Sequence, residues 1–120
     1  MKKHFKKLLL IDLDGVLNEY NGFFKEDQIP KIRKGARDFI INLSVEYYIK
    51  IFTSRDKATT IKWLFENKLS EYVIGVTNIK EPAYLYIDDR CICFDGHYNT
   101  LLKKIDNFKV YWKQKNQSAK

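Results

Sequence analysis

The chain has 120 residues, 45% of them hydrophobic and 15% aromatic, which is enough to build the core of one domain. Its net charge of +7 suggests an acidic partner such as nucleic acid, but eight lysines lie in two acid-free tails, at about residues 1–7 and 109–120. The rest of the chain has 14 basic and 15 acidic residues, so the tails are interpreted as solubilising and nucleic-acid binding is not favoured.

The first predicted element is a β-strand at residues 8–11, where four apolar residues (LLLI) follow the basic start of the chain. A basic start followed by an apolar run is typical of a signal peptide. This run ends at Asp12, however, and is too short for a secretory signal or a membrane span. We therefore expect one domain over residues 1–120, located in the cytoplasm and not associated with a membrane.

A flap is predicted directly after this strand, at about residues 16–29. Asn21-Gly22 is a strong tight-turn signal, and the aromatic residues around it favour a short hairpin. Tyr20, Phe23 and Phe24 are interpreted as packing residues of this hairpin, with stacking on a substrate ring as the alternative.

The remaining sequence alternates between helical and strand patterns. Helices are predicted at about residues 31–43, 57–68 and 98–105, the second with Asp56 as its N-cap, and strands at residues 48–52, 72–76, 83–87 and 91–94. This alternation predicts an α/β fold with a doubly wound, mainly parallel sheet flanked by helices. Cys91 and Cys93 alternate across the last strand and are interpreted as packing residues in a reducing compartment.

Acidic and hydroxyl side chains follow three of these strands. In open α/β sheets chemistry gathers at the carboxyl ends of the strands. Carboxylates that meet there repel one another unless a cation compensates, and oxygen ligands without sulfur or imidazole favour Mg²⁺. The sequence therefore predicts a magnesium site among the side chains at this edge, which are Asp12, Asp14, Thr53, Ser54, Asp88 and Asp89, with Lys80 just ahead of the fourth strand.

The same residues resemble the motifs of the haloacid dehalogenase superfamily, whose phosphatases use an aspartate nucleophile. Residues 10–17 (LIDLDGVL) resemble the first motif, residues 51–55 (IFTSR) the second, Lys80 the third and residues 86–90 (YIDDR) the fourth. Each motif alone is weakly specific, whereas the four in this order are strongly specific. The resemblance covers about residues 8–106 and leaves no room for a cap domain. Residues 80–90 are most similar to uncharacterised phosphatases akin to the pyrimidine 5′-deoxynucleotidases, in which Pro usually follows the lysine in place of Glu81.

The resemblance implies a role for each of these side chains. Asp12 would attack phosphorus and form an aspartyl-phosphate, while Asp14 would act as general acid and base. Thr53, Ser54 and Lys80 would bind the transferring phosphoryl group. The metal ligands are expected among Asp12, Asp14 through its backbone carbonyl, Asp88 and Asp89, with Asp89 as the more distant member.

Two arginines near the predicted site have two interpretations. Arg55 and Arg90 each lie beside an acid, Asp56 and Asp89 respectively. Each is interpreted either as a phosphate clamp or as one partner of a structural ion pair.

The expected function is a phosphomonoesterase acting on a small phosphorylated metabolite, such as a nucleotide or a sugar phosphate. Without a cap domain its site would be open, or would be covered by a neighbouring subunit in a homo-oligomer. Two alternatives stay open: a polynucleotide end phosphatase, suggested by the basic tails, and a non-enzymatic phosphoacceptor or scaffold domain. A receiver domain is disfavoured because Lys80 precedes Asp88 and Asp89.

Overall fold

The computed structural model describes residues 5–113. Four parallel strands form one sheet in the order β3-β2-β1-β4, and helices flank it, which confirms the predicted α/β fold with a parallel sheet. The elements are β1 (Lys7–Asp12), α1 (Ala36–Ser44), β2 (Tyr47–Phe52), α2 (Lys57–Glu66), a 3₁₀ turn (Ser70–Tyr72), β3 (Gly75–Thr77), β4 (Leu85–Ile87) and α3 (Tyr98–Asn107).

The core lies between one face of the sheet and the helices α1 and α2. Leu9 and Ile11 of β1 lie on this face and are buried with Ile51 of β2. They pack with Ile40 of α1 and Leu64 of α2, and each such side chain contributes about 1.5–3 kcal/mol when it is fully buried. The strand that ends at Asp12 is therefore fixed at the centre of the fold.

The start of α1 differs from the prediction, because the helix begins at Ala36 and not near residue 31. Ile32 forms an antiparallel β-bridge with Asn18, and the Arg33 amide donates to the Leu17 carbonyl, so this segment is extended. Gly35 has φ 88°, a left-handed conformation outside the helical range. The helix can start only after it.

The start of α2 matches the prediction. The Asp56 side chain accepts a hydrogen bond of 2.9 Å from the Thr59 amide, which confirms Asp56 as the N-cap of a helix that begins at Lys57. The third predicted strand is shifted toward the C-terminus, because the chain first forms the 3₁₀ turn before β3 begins at Gly75.

The predicted hairpin after β1 is a loop closed only at its base. The bridge between Asn18 and Ile32 and the hydrogen bond from the Glu19 amide to the Lys31 carbonyl close it, and no strand is assigned to residues 19–31. Phe23 and Phe24 are exposed, so few apolar contacts hold two strands together here. The flap predicted at about residues 16–29 is thus this loop, and the name flap refers from here on to residues 19–31.

The predicted strand at residues 91–94 is wrong. These residues carry no regular structure, and both Cys91 and Cys93 are exposed rather than packed. The chain turns directly after β4, where an Asp88 carboxylate oxygen accepts from the Arg90 amide, and so leaves the sheet. Helix α3 follows from Tyr98 and confirms the third predicted helix. Within residues 5–113 no helix is long and apolar enough to cross a membrane.

Candidate active site

The strand register brings two acids together at the carboxyl edge of the sheet. Asp12 is the last residue of β1 and is aligned with Phe52 of β2. Ile11 is aligned with Ile87, the last residue of β4, so Asp88 follows at the level of Asp12. Because side chains alternate along parallel strands, Asp12 and Asp88 leave the sheet on the same side.

Three carboxylates form a cluster at this edge. Asp12, Asp88 and Asp89 are half-buried, and each offers one oxygen within 4.8 Å of those of the other two. The ion pairs between described residues involve none of the three. Such a set of oxygen donors could hold a metal ion, and hard cations such as Mg²⁺ favour oxygen ligands. We call these residues the carboxylate cluster.

The pKa of Asp12 is raised from 3.8 to about 8 by its surroundings. Burial is the largest cause, followed by the charge of Asp88 and then by the hydrogen bond and charge of Asp89. The hydrogen bond with the Leu13 backbone acts in the opposite direction. A divalent cation in the cluster would favour the ionised form of Asp12, which is the form that a nucleophile needs.

Asp14 is separated from the cluster by its own partners. One carboxylate oxygen accepts from Arg55 Nε at 2.8 Å, and the other accepts from Asn18 Nδ2 at 3.0 Å. The buried Asn18 side chain also accepts from the Gly15 and Tyr20 amides, both at 3.1 Å, and so fixes the turn after β1. The structure thus brings three of the four predicted acids together and places the fourth beside an arginine.

Arg55 forms a structural ion pair, but its partner is Asp14 and not the neighbouring Asp56. Only 4% of the residue is exposed. Its Nη1 donates to the Lys25 carbonyl of the flap at 2.8 Å, and its Cζ lies 4.5 Å from the centroid of the Phe24 ring. Nη2 is buried and has no hydrogen-bond partner among residues 5–113. Arg55 therefore joins Asp14 to the flap.

The predicted phosphate-binding residues differ in their burial and in their contacts. Thr53 is buried at the end of β2, where its hydroxyl oxygen accepts from the Arg55 amide at 3.2 Å, and Ser54 is exposed. Lys80 is exposed in the loop before β4, with Nζ 4.7 Å from the centroid of the Tyr86 ring. Glu81 does not hold Lys80, since it pairs with Lys50 at 2.8 Å. Lys80 makes no ion pair with the carboxylate cluster.

Two aromatic residues that were not predicted from the sequence lie at the site. Trp112 Nε1 donates to a carboxylate oxygen of Asp89 at 2.6 Å, and the Tyr111 hydroxyl donates to the Gly15 carbonyl. Both belong to the stretch interpreted as a solubilising tail, and that interpretation is wrong for these two residues. The only sequence signal is an aromatic pair within a basic segment. Residues 1–4 and 114–120 of the two tails lie outside the described residues.

The site lies on an open edge rather than in a deep cavity. A cavity of about 660 Å³ exists between the flap and α2, where Phe23, Lys25, Lys62 and Trp63 are among the lining residues. None of the carboxylate cluster lines it. The arrangement of the acids, and not the size of the cavity, therefore identifies the candidate site.

Comparison with known proteins supports the fold alone. No protein-family model and no curated protein matches the chain. A conserved protein from Bacteroides thetaiotaomicron has a similar structure, with a TM-score of 0.56 over 89% of this chain and 95% of its own, at 16% sequence identity. A structural similarity at this identity shows a shared α/β fold.

Proposed function

We propose that the chain is a magnesium-dependent phosphomonoesterase of the haloacid dehalogenase type, which acts through an aspartyl-phosphate on a small phosphorylated metabolite such as a nucleotide or a sugar phosphate. The observation that carries the proposal is the cluster of Asp12, Asp88 and Asp89 within 4.8 Å at the ends of two neighbouring strands. The doubly wound, haloacid dehalogenase-like topology is part of the same proposal.

The proposed metal ligands are the carboxylates of Asp12, Asp88 and Asp89 together with the backbone carbonyl of Asp14. When bound, Mg²⁺ neutralises the carboxylates and the phosphoryl oxygens that they face. Asp14 contributes no side-chain oxygen in this assignment, because Arg55 and Asn18 already occupy both of its oxygens.

The proposed reaction has two displacements at phosphorus. In the first, an Asp12 oxygen forms a bond to phosphorus while the bond to the leaving oxygen breaks, and Asp14 gives a proton to that oxygen. In the second, a water attacks the aspartyl-phosphate, Asp14 takes the water's proton, and the bond from Asp12 to phosphorus breaks with release of phosphate. The two proton transfers by Asp14 therefore cancel over the cycle.

The remaining residues would position the phosphoryl group. Thr53 directly follows Phe52, the residue of the neighbouring strand that is aligned with Asp12. Its hydroxyl would donate to a phosphoryl oxygen, with Ser54 next to it. Lys80 would neutralise charge on the transferring group. To do so it has to leave the Tyr86 ring, which its exposed position in a loop permits.

The proposal is tested by a screen of phosphorylated metabolites with Mg²⁺ and with a chelator. We expect turnover of at least one metabolite that needs the metal. Asp12→Asn, which keeps the shape of the side chain but removes the nucleophile, should reduce turnover by on the order of a thousandfold or more. Full turnover by this variant would refute the mechanism. A structure with beryllofluoride and Mg²⁺ should show the adduct on Asp12, and an adduct on another residue would refute the assignment.

A polynucleotide end phosphatase is a second candidate, and a cavity beside the cluster favours it. This cavity of about 380 Å³ is lined by Arg90, Lys109 and Lys113 together with Phe108 and Trp112. Cations and aromatic rings together suit phosphates and bases of a single strand. Turnover of 5′- or 3′-phosphorylated oligonucleotides that falls steeply with salt would support this candidate, whereas turnover confined to small metabolites would exclude it.

A further inference from the structure

We propose that Trp112 is a positioning residue of the carboxylate cluster, and that Tyr111 anchors the segment that carries it. The inference rests on the proposed function, because the carboxylate that Trp112 holds is one of the proposed metal ligands.

The indole of Trp112 fixes one side of Asp89. Its Nε1–H donates to Asp89 Oδ2 at 2.6 Å. An indole N–H can act only as a hydrogen-bond donor. A carboxylate oxygen of Asp89 also lies within 4.8 Å of one of Asp12. Asp89 is therefore held between the indole and the proposed nucleophile, although the charges of the cluster would otherwise drive it outward.

The indole ring is itself held on several sides. The Tyr20 ring contacts it edge to face, with centroids 5.4 Å apart and an interplanar angle of 85°, and the Cζ of Arg90 lies 5.4 Å from its centroid. At Gly22 of the flap, an added Cβ atom would lie 3.3 Å from the ring. Since these contacts come from separate segments, the ring cannot turn its N–H away from Asp89 without losing several of them.

Tyr111 anchors the same segment to the turn after β1. Its hydroxyl donates to the carbonyl of Gly15, and the Cζ of Arg33 lies 5.1 Å from the centroid of its ring. The two aromatic residues thus attach this segment to the loop that carries Asp14 and to the end of β4 that carries Asp89.

Gly15 leaves the space in which these groups meet. A Cβ atom at this position would lie 2.1 Å from Asp89 Oδ2 and 3.0 Å from Trp112 Nε1. Oxygen, nitrogen and backbone are therefore packed in direct contact, and the hydrogen bond is part of a close-packed arrangement rather than a contact on the open surface. Donors that hydrogen-bond a ligating carboxylate typically change metal affinity by about 10–100-fold.

The test compares Trp112→Phe with the wild type by calorimetric titration of the metal-free full chain with Mg²⁺. Phenylalanine keeps most of the ring packing but removes the N–H donor, so we expect the Kd for Mg²⁺ to rise by about tenfold or more. Trp63→Phe is the matched control. Trp63 is buried against the core, and its Nε1 donates to the Pro30 carbonyl at 3.2 Å, away from the cluster. This variant should lose stability and keep the wild-type Kd.

Each result decides between the two proposals. If the wild type binds Mg²⁺ and Trp112→Phe binds it equally well, Trp112 has no positioning role and the proposed function stands. If the wild type binds no Mg²⁺, the proposed function fails and this role fails with it. Should Trp112→Phe not fold, the indole ¹H–¹⁵N resonances of the wild type replace it. The Trp112 resonance is expected to shift with Mg²⁺ and that of Trp63 to stay, and a Trp112 resonance that stays would overturn the inference.

Discussion

Two acidic regions lie side by side at the end of β1, and they differ in how their charge is compensated. In the first, Asp12 shares the carboxylate cluster with Asp88 and Asp89. None of these three acids forms an ion pair with another described residue. In the second, Asp14 is paired with the buried Arg55 at 2.8 Å and also accepts from Asn18. Only one residue separates Asp12 from Asp14 in the sequence.

The difference shows which carboxylates the protein satisfies by itself and which it leaves to a partner. Placing charges together away from water is costly unless opposite charge is near. Arg55 supplies that charge to Asp14, and Arg55 and Asn18 together hold the Asp14 carboxylate in one orientation. Within residues 5–113 no basic side chain forms an ion pair with the cluster, so a bound cation would gain most there.

The largest effect is expected on Mg²⁺ affinity, when one acid of each region is replaced by its amide. Asp88→Asn removes a charged oxygen from the cluster and should weaken Mg²⁺ binding at least tenfold, because hard cations prefer carboxylate ligands. Asp14→Asn keeps the backbone carbonyl and still has an oxygen to accept from Arg55, so its Kd should stay within about threefold of the wild type. Calorimetric titration of both variants measures the difference. Equal losses would show that the two regions bind the metal as one.

A smaller effect, on stability and on Mg²⁺ affinity, is expected when alanine replaces either of two glycines that share a left-handed conformation. Gly15 and Gly35 have φ of 85° and 88°, so alanine should cost about 1–2 kcal/mol at either position. At Gly15 the new Cβ would also meet Asp89 at 2.1 Å, whereas at Gly35 nothing lies within 4 Å. Urea denaturation should therefore show a larger loss for Gly15→Ala, and only this variant should weaken Mg²⁺ binding. Equal losses and equal affinities would contradict the close packing around Asp89.

The smallest effect is expected from pH on the stability of the metal-free chain. The folded chain keeps the Asp12 proton up to a pKa of about 8, whereas the unfolded chain releases it near 3.8. The folded state thus binds more protons between these values, and stability should fall as pH rises from about 4 to 8. We expect the Tm measured with a chelator to decrease by several degrees over this range.

Two controls assign this decrease to the cluster. Mg²⁺ should reduce it, because the cation favours the ionised carboxylates. Asp12→Asn has no proton to lose at this position, so its Tm measured with the chelator should decrease less with pH. A variant with the wild-type slope would place the cause elsewhere in the chain.

The sequence was sufficient to predict the part of the site that depends on strand ends. Asp12 and Asp88 were predicted to meet because the carboxyl ends of parallel strands lie at one edge of a sheet, and the register of β1 with β4 confirms it. The N-cap at Asp56 was predictable for a similar reason, since a cap involves residues only a few positions apart. These features follow from local pattern and from general rules of α/β folds.

Features that depend on contacts between distant segments were not predictable. The partner of Arg55 is Asp14, 41 residues away, although Asp56 is adjacent in the sequence. The predicted start of α1 near residue 31 failed because residues 31–33 pair with the segment after β1, a contact that no periodicity encodes. Trp112 reaches Asp89 across 23 residues, and only the aromatic pair Tyr111-Trp112 distinguishes the basic segment from a solvated tail.

The placement of Asp88 after β4 has a consequence for the motions of the protein. β4 has three residues and pairs with β1 on one side only, whereas β1 is paired along both edges. Edge strands of this length open at lower free energy than central strands. The carboxylate cluster therefore spans a central strand and an edge strand of the sheet, and we expect the opening of β4 to limit how long all three acids stay assembled.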